Sequence, residues 1–153
     1  MNWTRSAAVT TSLVLGCASL PTLAALGGSA DSVRSDAAAL RSQLTARAGT
    51  QAAYTVQRLS LDDGTVVDQY ISSAGKVFAV NWRGPRPPDL TLLFGEYFTE
   101  YDQASTRPHK RQSHMQIDTG RMRYVTGGHM RAYWGTAYVP ALLPAGLTME
   151  DVQ

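Results

Sequence analysis

The chain has 153 residues, of which 44% are hydrophobic and 17% charged, and its formal net charge is +2. This length predicts a single domain, and the composition excludes an intrinsically disordered chain because it can bury a core. The net charge is too small to indicate a nucleic-acid partner or an acidic membrane by itself.

The first 24 residues have the pattern of a secretory signal peptide. Arg5 supplies a positive charge, a mostly apolar stretch follows, and Thr22 and Ala24 occupy the small-residue positions that a signal peptidase recognises. We therefore predict cleavage after Ala24 and a single α+β domain over residues 25–153. The pattern also predicts an exported protein, either periplasmic or secreted.

Cys17 is the only cysteine of the chain, and two interpretations of it stay open. The stretch "VLGC" (Val14 to Cys17) is similar to a lipoprotein lipobox, which predicts acylation of the thiol and a membrane anchor. Otherwise Cys17 is discarded with the signal peptide. The mature chain then has no thiol, and therefore no disulfide and no cysteine nucleophile.

The first element predicted after the signal peptide is a helix over Asp31–Ala48. Apolar side chains recur there at near-helical spacing, at Val33, Ala37, Leu40 and Leu44. Three stretches of alternating β-branched or aromatic residues follow, "AYTVQRLSL", "TVVDQYIS" and "KVFAVNW", and they predict three strands. We expect the third of these strands to extend the apolar face with Phe78, Val80 and Trp82.

Glycine-containing turns separate these three strands. The loop Asp62-Asp63-Gly64, with Gly64 in the left-handed conformation, is a favoured three-residue hairpin connection. This loop sets a register that pairs Leu59 with Val67 on one face of the sheet. It pairs Arg58 with Asp68 on the other face, as a cross-strand charge pair.

A helix is predicted after the proline-rich break "GPRPP", because proline cannot donate to a strand ladder. Asp89 is the expected N-cap of this helix. An apolar stripe at helical spacing predicts packing against the core, and its members are Leu90, Leu93, Phe94, Tyr97 and Tyr101.

A second group of strands follows this helix, "SHMQID", "RMRYVT" and "HMRAYWG", again separated by glycine turns. The order of elements is therefore helix, three strands, helix, three strands. It predicts an α+β fold with an antiparallel sheet of about six strands in two meanders. Two helices are expected to pack on one face of that sheet.

The alternation in the last two strands suggests a contact surface. A loop over Thr126-Gly127-Gly128 places the apolar side chains on the core face, namely Met122, Tyr124, Met130, Ala132 and Trp134. The opposite face then carries a candidate binding surface for an anionic group or a protein partner: Arg121, Arg123, His129, Arg131 and Tyr133. An alternative is that the helix acids Glu96, Glu100 and Asp102 cover these basic residues, or that both are ordinary solvated surface.

Catalytic and metal-binding motifs are mostly missing from the sequence. Asp118-Thr119-Gly120 resembles the Asp-Thr-Gly of aspartic proteases, but aspartate and glycine are also what a tight hairpin turn requires, and we interpret it as a turn. The spacing of the histidines and the cations between His109 and His114 do not suit a zinc site. We therefore predict no metal and no cofactor, while a Ser-His-Asp set built from distant positions stays open. Trp82, Trp134 and Tyr133 are candidates for stacking on a sugar or base, and equally for the core.

Several stretches together resemble one protein family: "ALGG" after the predicted cleavage site, "AAYTV", "SAGKVFAVNWRGPRPPDL", "GEYF" and "GGHMRAYWGTAYVPALLPAGL". They are similar to the bacterial domain-of-unknown-function family 2844 over nearly the whole mature chain. The resemblance implies an exported protein of about this size. It implies no reaction, ligand or catalytic residue.

We interpret the chain as an exported, non-catalytic accessory or binding protein. Its expected partner is an envelope protein or an anionic ligand, not a nucleic acid. One alternative is a small secreted hydrolase that uses His129. Another is a lipid-anchored envelope protein, since the sequence predicts membrane contact only if Cys17 is acylated.

Overall fold

The computed structural model describes residues 26–30, 42–48, 54–106 and 114–148. The predicted signal peptide and Cys17 lie outside these residues, so their interpretation stays a prediction. The described part is built mostly from strands, with an α-helical segment between the fourth and fifth strand and a short 3-10 helix (Pro140–Leu142) after the last strand.

The strands form one antiparallel sheet, as the sequence predicts. It has seven strands in the order β1-β2-β3-β4-β7-β6-β5. The first four strands are therefore neighbours in chain order, and the last three return in reverse order beside β4. The strands are β1 (Ser42–Ala48), β2 (Tyr54–Leu61), β3 (Val66–Ser72), β4 (Val77–Gly84), β5 (His114–Asp118), β6 (Arg123–His129) and β7 (Ala132–Tyr138).

Strand β1 corrects the predicted helix over Asp31–Ala48. Residues Ser42–Ala48 pair with β2 along their whole length, while residues 31–41 lie outside the described part. In this stretch Leu44, Ala46 and Ala48 also alternate with polar residues, so the pattern has the period of a strand as well as that of a helix. Pairing with the edge of β2 decides between the two, because tertiary contacts outweigh local propensity.

The predicted hairpin between β2 and β3 is confirmed. Leu59 lies opposite Val67 and Arg58 opposite Asp68. The Leu61 N–H donates to the Thr65 carbonyl at 2.8 Å, which closes the three-residue loop, and Gly64 has a φ of 85°. The Arg58 guanidinium contacts both Asp68 carboxylate oxygens, at 2.6 and 2.7 Å.

A β-bulge between β3 and β4 corrects the predicted position of Phe78. Tyr70 lies opposite Ala79 but Ile71 lies opposite Val77, so Phe78 is the extra residue of β4. Val80 and Trp82 join the main core as predicted, whereas Phe78 packs on the other face of the sheet. An inserted residue reverses the alternation on one side of a bulge.

The helical segment begins at the predicted cap. The Asp89 carboxylate accepts hydrogen bonds from the Thr91 and Leu92 N–H groups, at 2.9 and 3.3 Å. Helix α1 (Leu90–Phe94), a 3-10 turn (Gly95–Tyr97) and helix α2 (Phe98–Ser105) follow without a gap. The predicted apolar stripe packs into the main core, with Leu93, Phe94 and Tyr97 buried and Leu90 and Tyr101 partly buried.

A short N-terminal arm, Leu26–Ala30, is built into the same core. Leu26 is only 1% exposed, and its N–H donates to the Leu93 carbonyl at 3.0 Å. The Gly27 N–H donates to the Val77 carbonyl at 2.8 Å, so the arm joins α1 to β4. The segment directly after the predicted cleavage site is therefore part of the folded domain.

The two faces of the sheet are covered to different extents. The helical segment covers the main core. On the opposite face, which we call the open face, the chain after β7 covers one end, where Leu142, Leu143 and Leu147 pack on a cluster that includes Tyr70 and Tyr138. The other end of the open face carries two cross-strand rows, one with Asn81 and Thr136 and one with Arg83, Trp134 and Gly127.

Candidate functional site

The turn between β6 and β7 is not the glycine loop that the sequence predicts. His129 lies opposite Ala132, so the turn consists of Met130 and Arg131, and the predicted loop Thr126-Gly127-Gly128 is wrong. Both glycines lie within β6, where a side chain on Gly128 would collide with the Ala132 carbonyl. These glycines therefore allow close approach of the neighbouring strand rather than a turn.

The change of pairing exchanges the two faces of β7 relative to the prediction, because the side chains of a strand alternate. Met122 and Tyr124 are buried in the core, as predicted. Tyr133, predicted to face outward, lies on the core face. Ala132 and Trp134, predicted to face inward, lie on the open face. Trp134 is 41% exposed and Met130, also predicted inward, is 87% exposed at the turn.

Arg121 does not join the other candidate residues. Its guanidinium donates to the Glu100 carboxylate at 2.5 Å, lies 3.4 Å from the Glu96 carboxylate, and stacks 4.9 Å from the centre of the Tyr97 ring. The hydrogen bond that Arg121 donates to Glu100 raises the pKa of Arg121. Arg121, in the bend before β6, therefore pairs with two of the helix acids, Glu96 and Glu100, and lies apart from the other candidate contact residues.

Arg123 lies on the open face but is already neutralised. Its Nε donates to the Asp118 carboxylate at 2.7 Å and its Nη1 to the Tyr138 hydroxyl at 3.3 Å. Asp118 also accepts the Gly120 N–H at 2.8 Å, and this bond, the largest cause, lowers the pKa of Asp118. The interpretation of Asp118-Thr119-Gly120 as a turn is confirmed, with Gly120 at a φ of 84°.

Among the arginine side chains that the structure describes, two differ from the rest in having no acidic partner. Ion pairs to carboxylates are made by Arg58, Arg86, Arg121 and Arg123. Among the side chains that the structure describes, no carboxylate lies within ion-pair distance of Arg83 or Arg131. Both line one groove of about 530 Å³, which also contains Trp134 and which we call the Trp134 groove.

Trp134 forms the floor of this groove. It lies opposite Gly127 on one side and opposite Arg83 on the other. A Cβ atom on Gly127 would lie 3.0 Å from Cζ2 and 3.2 Å from Cε2 of the indole, so the ring rests directly on the glycine backbone. Its position is also supported by the Thr126 hydroxyl, which donates to the Trp134 carbonyl at 2.6 Å. Trp82, the other candidate for stacking, is buried in the core.

The backbone of Arg131 adopts a conformation that is unusual for its residue type. Its φ is 63°, which favours glycine or asparagine, and Arg131 is the one described residue other than glycine with a positive φ. Such a conformation costs on the order of 1 kcal/mol and is often found at functional sites. Arg131 thus lines the Trp134 groove with no described carboxylate within ion-pair distance.

His129 is exposed at the end of β6, outside the Trp134 groove. No hydrogen bond joins its ring to another side chain in the part of the chain that the structure describes. A general base is normally oriented by such a bond to a third group. In that same part of the chain, no cluster of three histidine, cysteine, aspartate or glutamate side chains could hold a metal ion.

The predicted contact residues are therefore separated rather than gathered on one surface. Arg131 and Tyr133 line the Trp134 groove, His129 is next to the turn, Arg123 is paired elsewhere on the open face, and Arg121 faces the helix. Sequence reasoning missed Arg83. The sequence shows only that Arg83 lies at the end of a strand just before the proline-rich break. The pairing register of β4 with β7 is what places it beside Trp134.

Comparison with known proteins places the chain in a family without assigning a reaction. A family model described as "Protein of unknown function (DUF2844)" matches residues 22–152. No curated protein and no solved structure matches the chain. None of the helices in the described residues is long and apolar enough to span a membrane.

Proposed function

Since the chain belongs to the DUF2844 family of proteins of unknown function, we propose its function from the geometry of the Trp134 groove. The protein is an exported, non-catalytic binding protein that takes an anionic ligand into this groove. Arg83 and Arg131 bind the negative groups, and the Trp134 ring supplies a flat apolar contact.

One observation carries this proposal. The two described arginines that lack an acidic partner line the same groove as the exposed tryptophan, and none of the described residues that line this groove is acidic. A guanidinium offers five donors in a planar arrangement that matches a carboxylate or a phosphate. An exposed indole adds stacking and apolar area at low cost in conformational entropy.

A titration of the exported protein with soluble polyanions tests the proposal. The probes are polygalacturonate, dextran sulfate and polyphosphate, and the signal is tryptophan fluorescence, since cleavage after Ala24 removes Trp3 and leaves Trp82 and Trp134. We expect at least one polyanion to change the Trp134 signal. Arg83→Glu with Arg131→Glu should weaken that binding at least tenfold, because each reversal replaces an attraction by a repulsion.

Lys76→Glu is the matched control for this experiment. Lys76 is exposed in the turn between β3 and β4, at the opposite end of the sheet from the groove, and its reversal changes the net charge as much as either arginine reversal alone. The control should bind like the unmodified protein, and all variants should keep their melting temperature. Equal losses in the control and the groove variant, or no polyanion binding at all, would contradict the proposal.

The alternative of a hydrolase that uses His129 is tested separately. His129→Ala should leave polyanion binding nearly unchanged, because the ring lies outside the groove. If a hydrolytic activity is found and falls by orders of magnitude in this variant, the non-catalytic interpretation is wrong. The lipid-anchor alternative is tested by the intact mass of the exported protein, which shows either a start at Ala25 or an acylated Cys17.

A further inference from the structure

We infer that the β6–β7 turn docks on the surface of an anionic lipid bilayer, with Met130 entering the interface and the Trp134 groove binding headgroups. This inference rests on the proposed function, since it assigns the anionic ligand to a lipid surface. It differs from the lipid-anchor alternative, because it needs no acyl chain on Cys17.

The turn projects beyond the strands that flank its hairpin. On one side β4 ends with Gly84 opposite Tyr133, and on the other side β5 begins with His114 opposite Gly127. The residues from Gly128 to Ala132 therefore extend past both hydrogen-bonded neighbours, and all of them are exposed. This projecting segment, the hairpin tip, can approach a flat surface before the rest of the sheet does.

The composition of the hairpin tip is unusual for a turn in water. Turn positions favour glycine, asparagine, aspartate and proline, whereas this turn is Met130-Arg131. Met130 is 87% exposed, and it and Trp134 are the large hydrophobic side chains that are exposed in the described part of the chain. Both lie on the same hairpin, so the large exposed apolar side chains of the described residues are gathered on this one hairpin.

The spacing along β7 matches the layers of a membrane interface. At about 3.3 Å of rise per residue, the row of Arg83 and Trp134 lies roughly 10 Å behind the turn. A segment that inserts roughly 5–10 Å reaches the boundary of the acyl chains while that row stays at the headgroups. Tryptophan prefers the headgroup level, and arginine can extend to the phosphates there.

The charges at this end of the sheet favour an anionic surface. Arg83 and Arg131 form no ion pair with any described side chain. Of the two acids in the neighbouring β2–β3 loop, Asp63 is held by Arg86 at 2.7 Å, which leaves Asp62. A peptide that adds a strand requires a sheet edge, but β4 and β7 are interior strands. Single-stranded nucleic acid usually stacks on successive aromatic rings, whereas the groove exposes one indole.

Vesicle sedimentation of the exported Cys17→Ser protein tests the inference, since this variant cannot carry an acyl chain at residue 17. The probes are neutral vesicles of phosphatidylcholine alone and anionic vesicles of phosphatidylcholine with roughly one third phosphatidylglycerol. We expect binding to the anionic vesicles only, with a blue shift of Trp134 emission and a loss of binding at high salt. Arg83→Glu with Arg131→Glu should weaken partitioning about tenfold or more, since one basic residue near the surface contributes roughly fivefold.

Met130→Ser separates the membrane inference from binding of any polyanion. It should lower vesicle partitioning about five- to tenfold while leaving the binding of soluble polyanions unchanged, because it removes apolar surface and no charge. Lys76→Glu again serves as the control and should partition nearly like the parent protein. Met130 is largely exposed in the free protein, so the serine variant should keep its melting temperature.

The outcomes distinguish this inference from the proposed function. Arginine-dependent binding to a soluble polyanion without binding to anionic vesicles would overturn the membrane inference and leave the anion groove in place. The membrane inference would also be overturned if the Met130→Ser variant bound vesicles as well as the parent protein does. It would be overturned too if the parent protein were a dimer that dissociates in this variant, since the hairpin tip would then contact a second copy. Failure with both vesicles and polyanions would overturn both proposals.

Discussion

Replacement of Leu26 by alanine tests whether the N-terminal arm is part of the folded domain. Leu26 is 1% exposed and packs within the main core between α1 and β4. Truncation of a fully buried leucine removes its transfer free energy and leaves a cavity, which together cost about 2–5 kcal/mol. We expect a loss near 3 kcal/mol, because the backbone bonds of the arm to Leu93 and Val77 remain and limit relaxation.

Thermal and urea unfolding of the protein measure this loss. For a domain of this size, about 3 kcal/mol corresponds to a fall of roughly 6–12 °C in melting temperature. Leu92→Ala is the matched control, since Leu92 lies on α1, is only partly buried and belongs to neither core cluster. It should cost less than about 1 kcal/mol. Equal stability of Leu26→Ala and the parent protein would refute the arm as a core element.

Three further predictions concern pH and the groove. Burial raises the pKa of Tyr124 to about 12, whereas the tyrosine of the unfolded chain ionises near pH 10. The free energy of unfolding should therefore fall between about pH 10 and 12, because only the unfolded chain gains from ionisation there. The fall should be smaller in Tyr124→Phe. The hydrogen bond that Arg86 donates lowers the pKa of Asp63. The contribution of Asp63 to stability, below about 1 kcal/mol, is therefore present above about pH 4 and is lost as the pH falls further. The difference in the free energy of unfolding between pH 6 and pH 3, measured with urea, should be smaller in Asp63→Asn than in the parent protein. Gly127→Val should displace the Trp134 ring and change the emission and iodide quenching of that residue, with the fold retained; an unaltered spectrum would mean that the indole does not rest on the glycine.

Local chemistry was enough to predict several elements from the sequence. The loop Asp62-Asp63-Gly64 determines its own closure and therefore the register of β2 and β3. Asp89 caps a helix whose apolar stripe enters the core, and Asp118 closes its turn onto the Gly120 N–H. In each case the deciding interactions join residues that are close in the chain, so the sequence contains the whole reason.

The candidate site was decided by contacts between distant segments. Strand β1 exists because β2 has a free edge, and Phe78 changes face because of a bulge. Gly127 and Gly128 suggested a turn, yet they lie within β6 and leave the space that the close approach of β7 requires.

The sequence by itself determined that this chain forms an antiparallel sheet with a capped helix on one face. Only the tertiary structure decided which side chains face outward, because a strand shows the same alternation in either register and the pairing partner selects one of them. Register brings Arg83 from β4 next to Trp134 of β7, and places Arg131 at the turn between β6 and β7. The groove is therefore a property of strand pairing and not of any one segment.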